Sequence, residues 1–117
     1  MAYLMSRLHD FFAAENAREW TVYRSFLHPE VMWTLGERVI RGADEYVAAM
    51  QQAYGDSDIQ FRCVASRVSE SGSLIATLLV DDDGRRSLDV FEFKDELVWR
   101  EHEFLLGRDL ESSGPLL

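Results

Sequence analysis

The sequence is poor in cysteine, poor in positive charge, and has no long apolar run. Its one cysteine, Cys63, excludes an internal disulfide. Lys and Arg number 12 against 21 Asp and Glu, a net charge of −9. So acidic a surface repels phosphate backbones and anionic lipid, which argues against nucleic acid or a membrane as partner. No stretch approaches the roughly 18 apolar residues that span a bilayer. Charges interrupt Met1–Asp10 too early for the apolar region of a signal peptide, and the expected location is cytoplasmic. Phosphate-loop and dinucleotide glycine patterns are missing, so no cofactor is expected. His9, His28 and His102 form no ligand-spaced set, and Asp81-Asp-Asp-Gly84 lacks the spacing of a calcium loop, so no metal is expected either.

The 117 residues suit a single domain with one core. Hydrophobic residues make up 47%, and the 14 aromatic residues (Trp 3, Tyr 4, Phe 7) are enough to line a cavity as well as fill a core. Leu4, Leu8, Phe11 and Phe12 recur at helical spacing. Asn16 with Glu19 three residues on reads as a capping box opening a second helix, which Pro29 ends. Val31–Leu35 is β-prone. Gly42 opens a third helix carrying Tyr46, with Asp44 and Glu45 in its first turn, where the helix dipole favours acid. After Gly55 the period changes to two. Strands are expected around residues 59–65, at Leu74–Val80 (apolar enough to be buried on both faces), at Arg86–Phe93 and at Leu97–Leu106, joined by short turns. Helices followed by hairpins indicate an α+β fold. The domain is placed at residues 1–106, with 107–117 a loose tail. A curled antiparallel sheet with helices on its concave side forms a cone, whose open end makes a pocket.

Three phrases carry a resemblance: Phe26-Leu-His-Pro-Glu-Val-Met-Trp-Thr34, then Gly36 through Arg41-Gly-Ala-Asp-Glu-Tyr46, then Leu88-Asp-Val-Phe-Glu-Phe93 with Leu97-Val-Trp-Arg-Glu-His-Glu-Phe104. In order and spacing they resemble the nuclear-transport-factor-2-like superfamily, which includes ketosteroid isomerases, SnoaL-like polyketide cyclases and many bacterial proteins. The resemblance covers roughly residues 4 to 106. It implies three N-terminal helices in the concave face of a curved, mainly antiparallel sheet. It also implies that Asp89 stands where the isomerases keep an oxyanion-holding acid. Their tyrosine donor falls at Phe11, with Asp10 the neighbouring possibility, and their proton-shuttling aspartate at Leu35 or Thr34, both non-acidic here, which argues against steroid isomerisation by that route.

Asp89 shares a strand face with Phe91 and Phe93. If that face is the inner one, burial raises its pKa and makes a protonated donor of it. Glu101 or His102 should lie opposite, depending on a bulge in the last hairpin, because a one-residue slip exchanges the faces. Asp89, Glu101 and His102 are thus the candidate catalytic residues, and Phe11, Trp33, Leu35, Tyr46 and Phe91 the candidate pocket walls; plain core packing is the competing role for each wall. Two functions follow. One is a cofactor-independent acid/base enzyme on a small hydrophobic molecule, of isomerase, cyclase, dehydratase or epoxide-hydrolase type. The other is a non-catalytic ligand-binding or dimerisation module of the same fold. Apolar residues on both sheet faces also predict a homodimer through the outer one.

Overall fold

The computed structural model describes residues 2–108. Helix α1 (Ala2–Asn16) and the short α2 (Trp20–Ser25) lead into β1 (Leu27–Leu35) and β2 (Arg38–Arg41). Helix α3 (Ala43–Tyr54) follows, then β3 (Phe61–Val68), β4 (Leu74–Asp81), β5 (Arg85–Lys94) and β6 (Leu97–Arg108). The six strands form one sheet in the order β2-β1-β6-β5-β4-β3. All neighbours are antiparallel except β1 and β6. This is the expected α+β architecture, three helices on a curved, open, mainly antiparallel sheet. No helix of the described residues is long and apolar enough to cross a membrane.

The helical stripe of α1 is the centre of the core: Leu8, Phe11 and Phe12 are buried against Tyr23, Val31, Ile75, Phe91 and Val98. The Phe11 ring stacks on Tyr23, centroids 4.3 Å apart, and meets Phe91 edge-on at 6.2 Å, an arrangement aromatic quadrupoles favour. Gly42 fixes the entry to α3. Its backbone (φ 91°, ψ 149°) lies in a region essentially reserved for glycine, and its N–H donates to the Val31 carbonyl. That junction sets α3 beside β1 and turns Tyr46 inward.

Several local expectations are corrected. Asn16 caps no helix. Its side-chain amide pairs with the backbone of Phe61 instead, donating to the carbonyl at 2.8 Å and accepting from the N–H at 3.0 Å, so α1 is stitched to β3. Residue Glu19 holds the cap position of α2 without a side-chain hydrogen bond. Pro29 lies within β1, where the pairing with β6 is interrupted between Leu27 and Met32 and no ladder donor is required. Strand β2 was missed: it is a short edge strand reached by a tight hairpin in which Gly36 takes a positive φ of 59°. Strand β4 is buried on one face only. Ile75 and Thr77 are inaccessible, whereas Leu74 on the other face is 39% exposed. Gly107 and Arg108, assigned to the tail, close β6 by pairing with Arg86 and Arg85; 109–117 lie outside the described residues.

Candidate functional site

Strands β5 and β6 decide what enters the cone. Their hairpin turns at Asp95 and Glu96, both with positive φ, and Lys94 pairs with Leu97. The register then slips between Glu92 and Phe93, leaving Trp99 as an extra residue on β6. Without that bulge Asp89 would face His102. With it Asp89 faces Glu103, and Phe91 faces Glu101. Neither expected partner, Glu101 nor His102, lies opposite Asp89, because Glu103 takes that place. Glu101 and Glu103 both turn inward, while His102 stands exposed on the outer face, paired with Val90 and Thr34.

The inward side chains meet in a cavity of about 330 Å³. Phe11, Trp33, Leu35, Tyr46 and Phe91, the five walls named from the sequence, all line it, as do Asp89 and Glu101. Phe11 and Phe91 are also core residues, only 1% exposed, so packing and wall are one role there. Carboxyl oxygens of Asp89, Glu101 and Glu103 lie within 4.8 Å of one another. Each carboxyl has a neutral donor: Ser87 Oγ to Asp89 Oδ1 at 2.5 Å, Trp33 Nε1 to Glu103 Oε1 at 2.9 Å, and the Tyr46 hydroxyl to Glu101 Oε1. The described ion pairs, Arg24–Asp44 and Arg85–Asp83, involve none of the three.

Three acids this close and this buried cannot all be charged. Burial pushes Glu101 well above the ordinary carboxylate range, and the Asp89 charge pushes it further. Burial also raises Asp89, against the opposing hydrogen bonds from Glu101 and Ser87. Glu103 is lifted to about 7, chiefly by burial and then by Asp89, with the Trp33 bond resisting. The Asp89 and Glu101 carboxyls, with oxygens within 4.8 Å of each other, act on each other's ionisation, so their protons belong to the pair. The trio is also the set of described residues whose oxygens are spaced to hold a cation. Proton-sharing meets the same need for compensation and uses the donors already in place.

A second acid enters the cavity from the opposite wall. Glu15, in the last turn of α1 and 7% exposed, accepts the Tyr23 hydroxyl at 2.7 Å and the Tyr54 hydroxyl on its other oxygen. Burial raises it to about 7 even though both phenols favour its charged form. Neither Glu15 nor Glu103 was singled out from the sequence. Both had a signal: Glu15 continues the Leu8-Phe11-Phe12 stripe at helical spacing, and Glu103 repeats Glu101 at the period of a strand.

No family model and no curated protein matches the chain. Solved structures do. A SnoaL-like protein of unknown function from Burkholderia thailandensis is similar at TM-score 0.81 and 19% identity, over 92% of this chain and 98% of that one. A nuclear-transport-factor-2-like protein of unknown function from Cytophaga hutchinsonii follows at TM-score 0.75 and 10% identity, over 87% and 88%. An LEH-like epoxide hydrolase of M. tuberculosis is similar at TM-score 0.69 and 16% identity, over 90% and 84%. At such identities the likeness establishes the fold.

Proposed function

We propose, from the premise that the chain folds as a nuclear-transport-factor-2-like cone, that its cavity is the active site of a cofactor-independent acid/base enzyme. Its substrate is a small, largely hydrophobic molecule bearing a carbonyl, hydroxyl or epoxide oxygen. The carrying observation is the meeting of Asp89, Glu101 and Glu103 within 4.8 Å in a cavity whose wall is mostly aromatic and aliphatic, with Glu15, Ser87, Asp81, Arg85 and Arg86 as its other polar members. A protonated carboxyl in a water-poor site is a strong donor to an oxygen that gains negative charge as the reaction proceeds. Asp89 and Glu101 have that role. Trp33, Leu35, Tyr46 and Phe91 hold the hydrocarbon part. His102 has no role in the cavity in this reading. The isomerase, cyclase, dehydratase and epoxide-hydrolase types all need such an acid.

The test uses 2-naphthol, a flat bicyclic phenol, with binding followed by tryptophan fluorescence. Asp89→Ala removes the donor at the oxygen and should weaken binding at least about tenfold, the equivalent of one lost hydrogen bond to a charged or strongly polar group. Equal binding by both proteins would remove the acid pair from the reading.

The second reading, a non-catalytic binding or dimerisation module, is favoured by the outer sheet face. Leu88 lies between Leu78 and Phe104 across the strands, and Leu74, Leu88 and Phe104 are all exposed. We take a second copy of the chain as the occupant of that face in either reading, since a two-fold pair covers the same exposed apolar patch on both copies at once. Sedimentation as a monomer at micromolar concentration would refute it. The setting is read as cytoplasmic, in keeping with the unpaired Cys63, and nucleic acid and membranes are not partners.

A further inference from the structure

We propose that Glu15 is the general base of this cavity, removing a proton from carbon next to the substrate carbonyl while Asp89 and Glu101 hold the carbonyl oxygen. The assignment rests on the reading of the cavity as an acid/base site and adds the missing half of it. The Asp89–Glu101 pair supplies protons. Enolisation also needs an acceptor, and it must stand across the substrate from the donor. Glu15 lines the same cavity from the helical wall, at the end of α1, whereas the acid trio lines it from the sheet.

Its surroundings suit the task. A carboxylate can accept about four hydrogen bonds, and the two phenols occupy one site on each oxygen. Tyr23 comes from α2 and Tyr54 from α3, so all three helices fix the carboxyl in place. Arg18 is a cation whose charge favours the Glu15 carboxylate, but its guanidinium donates to the carbonyls of Glu15, Asn16, Ser57 and Ile59 and lies 3.8 Å from the Tyr54 ring centroid. It anchors the loop before β3 and forms no ion pair with the carboxyl. Asp89, across the cavity, disfavours the Glu15 charge, and burial disfavours it more. The outcome is a carboxyl poised near neutrality, where a base both carries its charge and accepts protons readily.

The step balances without a co-reactant. The C–H bond breaks as an O–H bond forms on Glu15, and the electron pair moves onto the carbonyl oxygen, which takes a proton from the Asp89–Glu101 pair. The enol returns to the ketone when Glu15 gives a proton back to carbon and the pair recovers its own.

The experiment is hydrogen–deuterium exchange at the carbons beside the carbonyl of 2-tetralone in D₂O, followed by NMR, with 2-naphthol binding measured alongside. The wild type should accelerate exchange, with a rate that rises through about pH 7 and levels off above. Glu15→Gln should lower the rate about a hundredfold or more and leave 2-naphthol binding within about threefold. Tyr54→Phe, which removes one donor to the carboxylate, should move the rise to higher pH, a change that merely structural damage does not produce. If Glu15→Gln fails to fold, an unshifted Tyr54→Phe profile overturns the assignment. Exchange that survives in Glu15→Gln, or naphthol binding without exchange in the wild type, overturns Glu15 as base and leaves the oxygen-binding cavity standing. A wild type that neither binds 2-naphthol nor exchanges 2-tetralone overturns the functional reading as a whole.

Discussion

Strands β5 and β6 present different chemistries on their two faces, and the buried acids are on the inner one. The inner face carries Asp89, Glu101 and Glu103 around Phe91, while the outer face carries Leu88, Val90 and Phe104 with His102. An ordinary half-buried strand puts its apolar set inside. Here acids are inside because each has a donor and burial raises all three above the ordinary carboxylate range. The exposed apolar set outside is the part left without a partner among the described residues. Polarity therefore does not report which face is buried in this hairpin; register does, and one residue, Trp99, sets it.

Deleting Trp99 is the harshest way to break the comparison. The strand beyond it would turn over, sending Glu101 and Glu103 out and bringing His102 and Phe104 in. The cluster would be lost along with the pairing of Trp33 to Glu101 across β1 and β6. The expected result is loss of a cooperative thermal transition by circular dichroism, since the change exceeds much of the roughly 5–15 kcal/mol that stabilises a domain. A folded deletion variant that still bound 2-naphthol would show that the bulge does not set the faces.

Truncation on each face gives a milder contrast. Phe91→Ala should cost about 3–5 kcal/mol in urea unfolding, because its ring fills the space between Phe11 and Phe12 in the core. Leu88→Ala, one face away and 36% exposed, should cost less than about 1 kcal/mol in the monomer. Comparable costs would mean that the outer face is covered within the folded chain.

The buried acids also make stability depend on pH, with a sign opposite to that of surface carboxylates in ion pairs. Glu15 binds its proton up to about pH 7 in the folded chain but only to about 4.5 when unfolded. Between those values the folded state holds more protons, so the Glu15 contribution to stability falls as pH rises and is fully lost above about 7.5. The Glu15 share of that fall is roughly 3 kcal/mol. Urea midpoints should decline from pH 5 to 7.5, and Glu15→Gln should flatten part of the slope. A midpoint that climbs across that range would mean the carboxyl is solvated.

Much of this was legible in the sequence, and what was not has identifiable causes. The core stripe of α1, the glycine-led α3 and the strand period after Gly55 are local signals, set by residues within a few positions of each other. Asp89 was readable because it alternates with Phe91 and Phe93 on one strand. Strand β2 was not readable, because Arg38-Val-Ile-Arg41 is too short for a pattern and owes its pairing to β1. The parallel contact of β1 with β6 joins positions about 70 residues apart and leaves no local trace. Glu15 and Glu103 were passed over because acids on an apolar stripe read as solvated edges until something across the cavity gives them donors. The bulge at Trp99 has no composition of its own, and so the choice between Glu101 and His102 stayed open.

The smallest expected effect belongs to the residue on which that choice turned. His102 is exposed, lies opposite Val90 and Thr34, and its imidazole makes no hydrogen bond among the described residues. His102→Ala should change stability by less than about 0.5 kcal/mol, as surface substitutions away from caps and networks do. It should also leave 2-naphthol binding and 2-tetralone exchange unaltered, while Asp89→Ala, thirteen positions earlier on the adjacent strand, weakens the first at least about tenfold. A tenfold loss of exchange in His102→Ala would require the imidazole to reach the substrate, and the backbone allows that only if β6 is displaced by one residue. The variant therefore reports on the register of the hairpin through a side chain that the register, as found, leaves with nothing to do in the cavity.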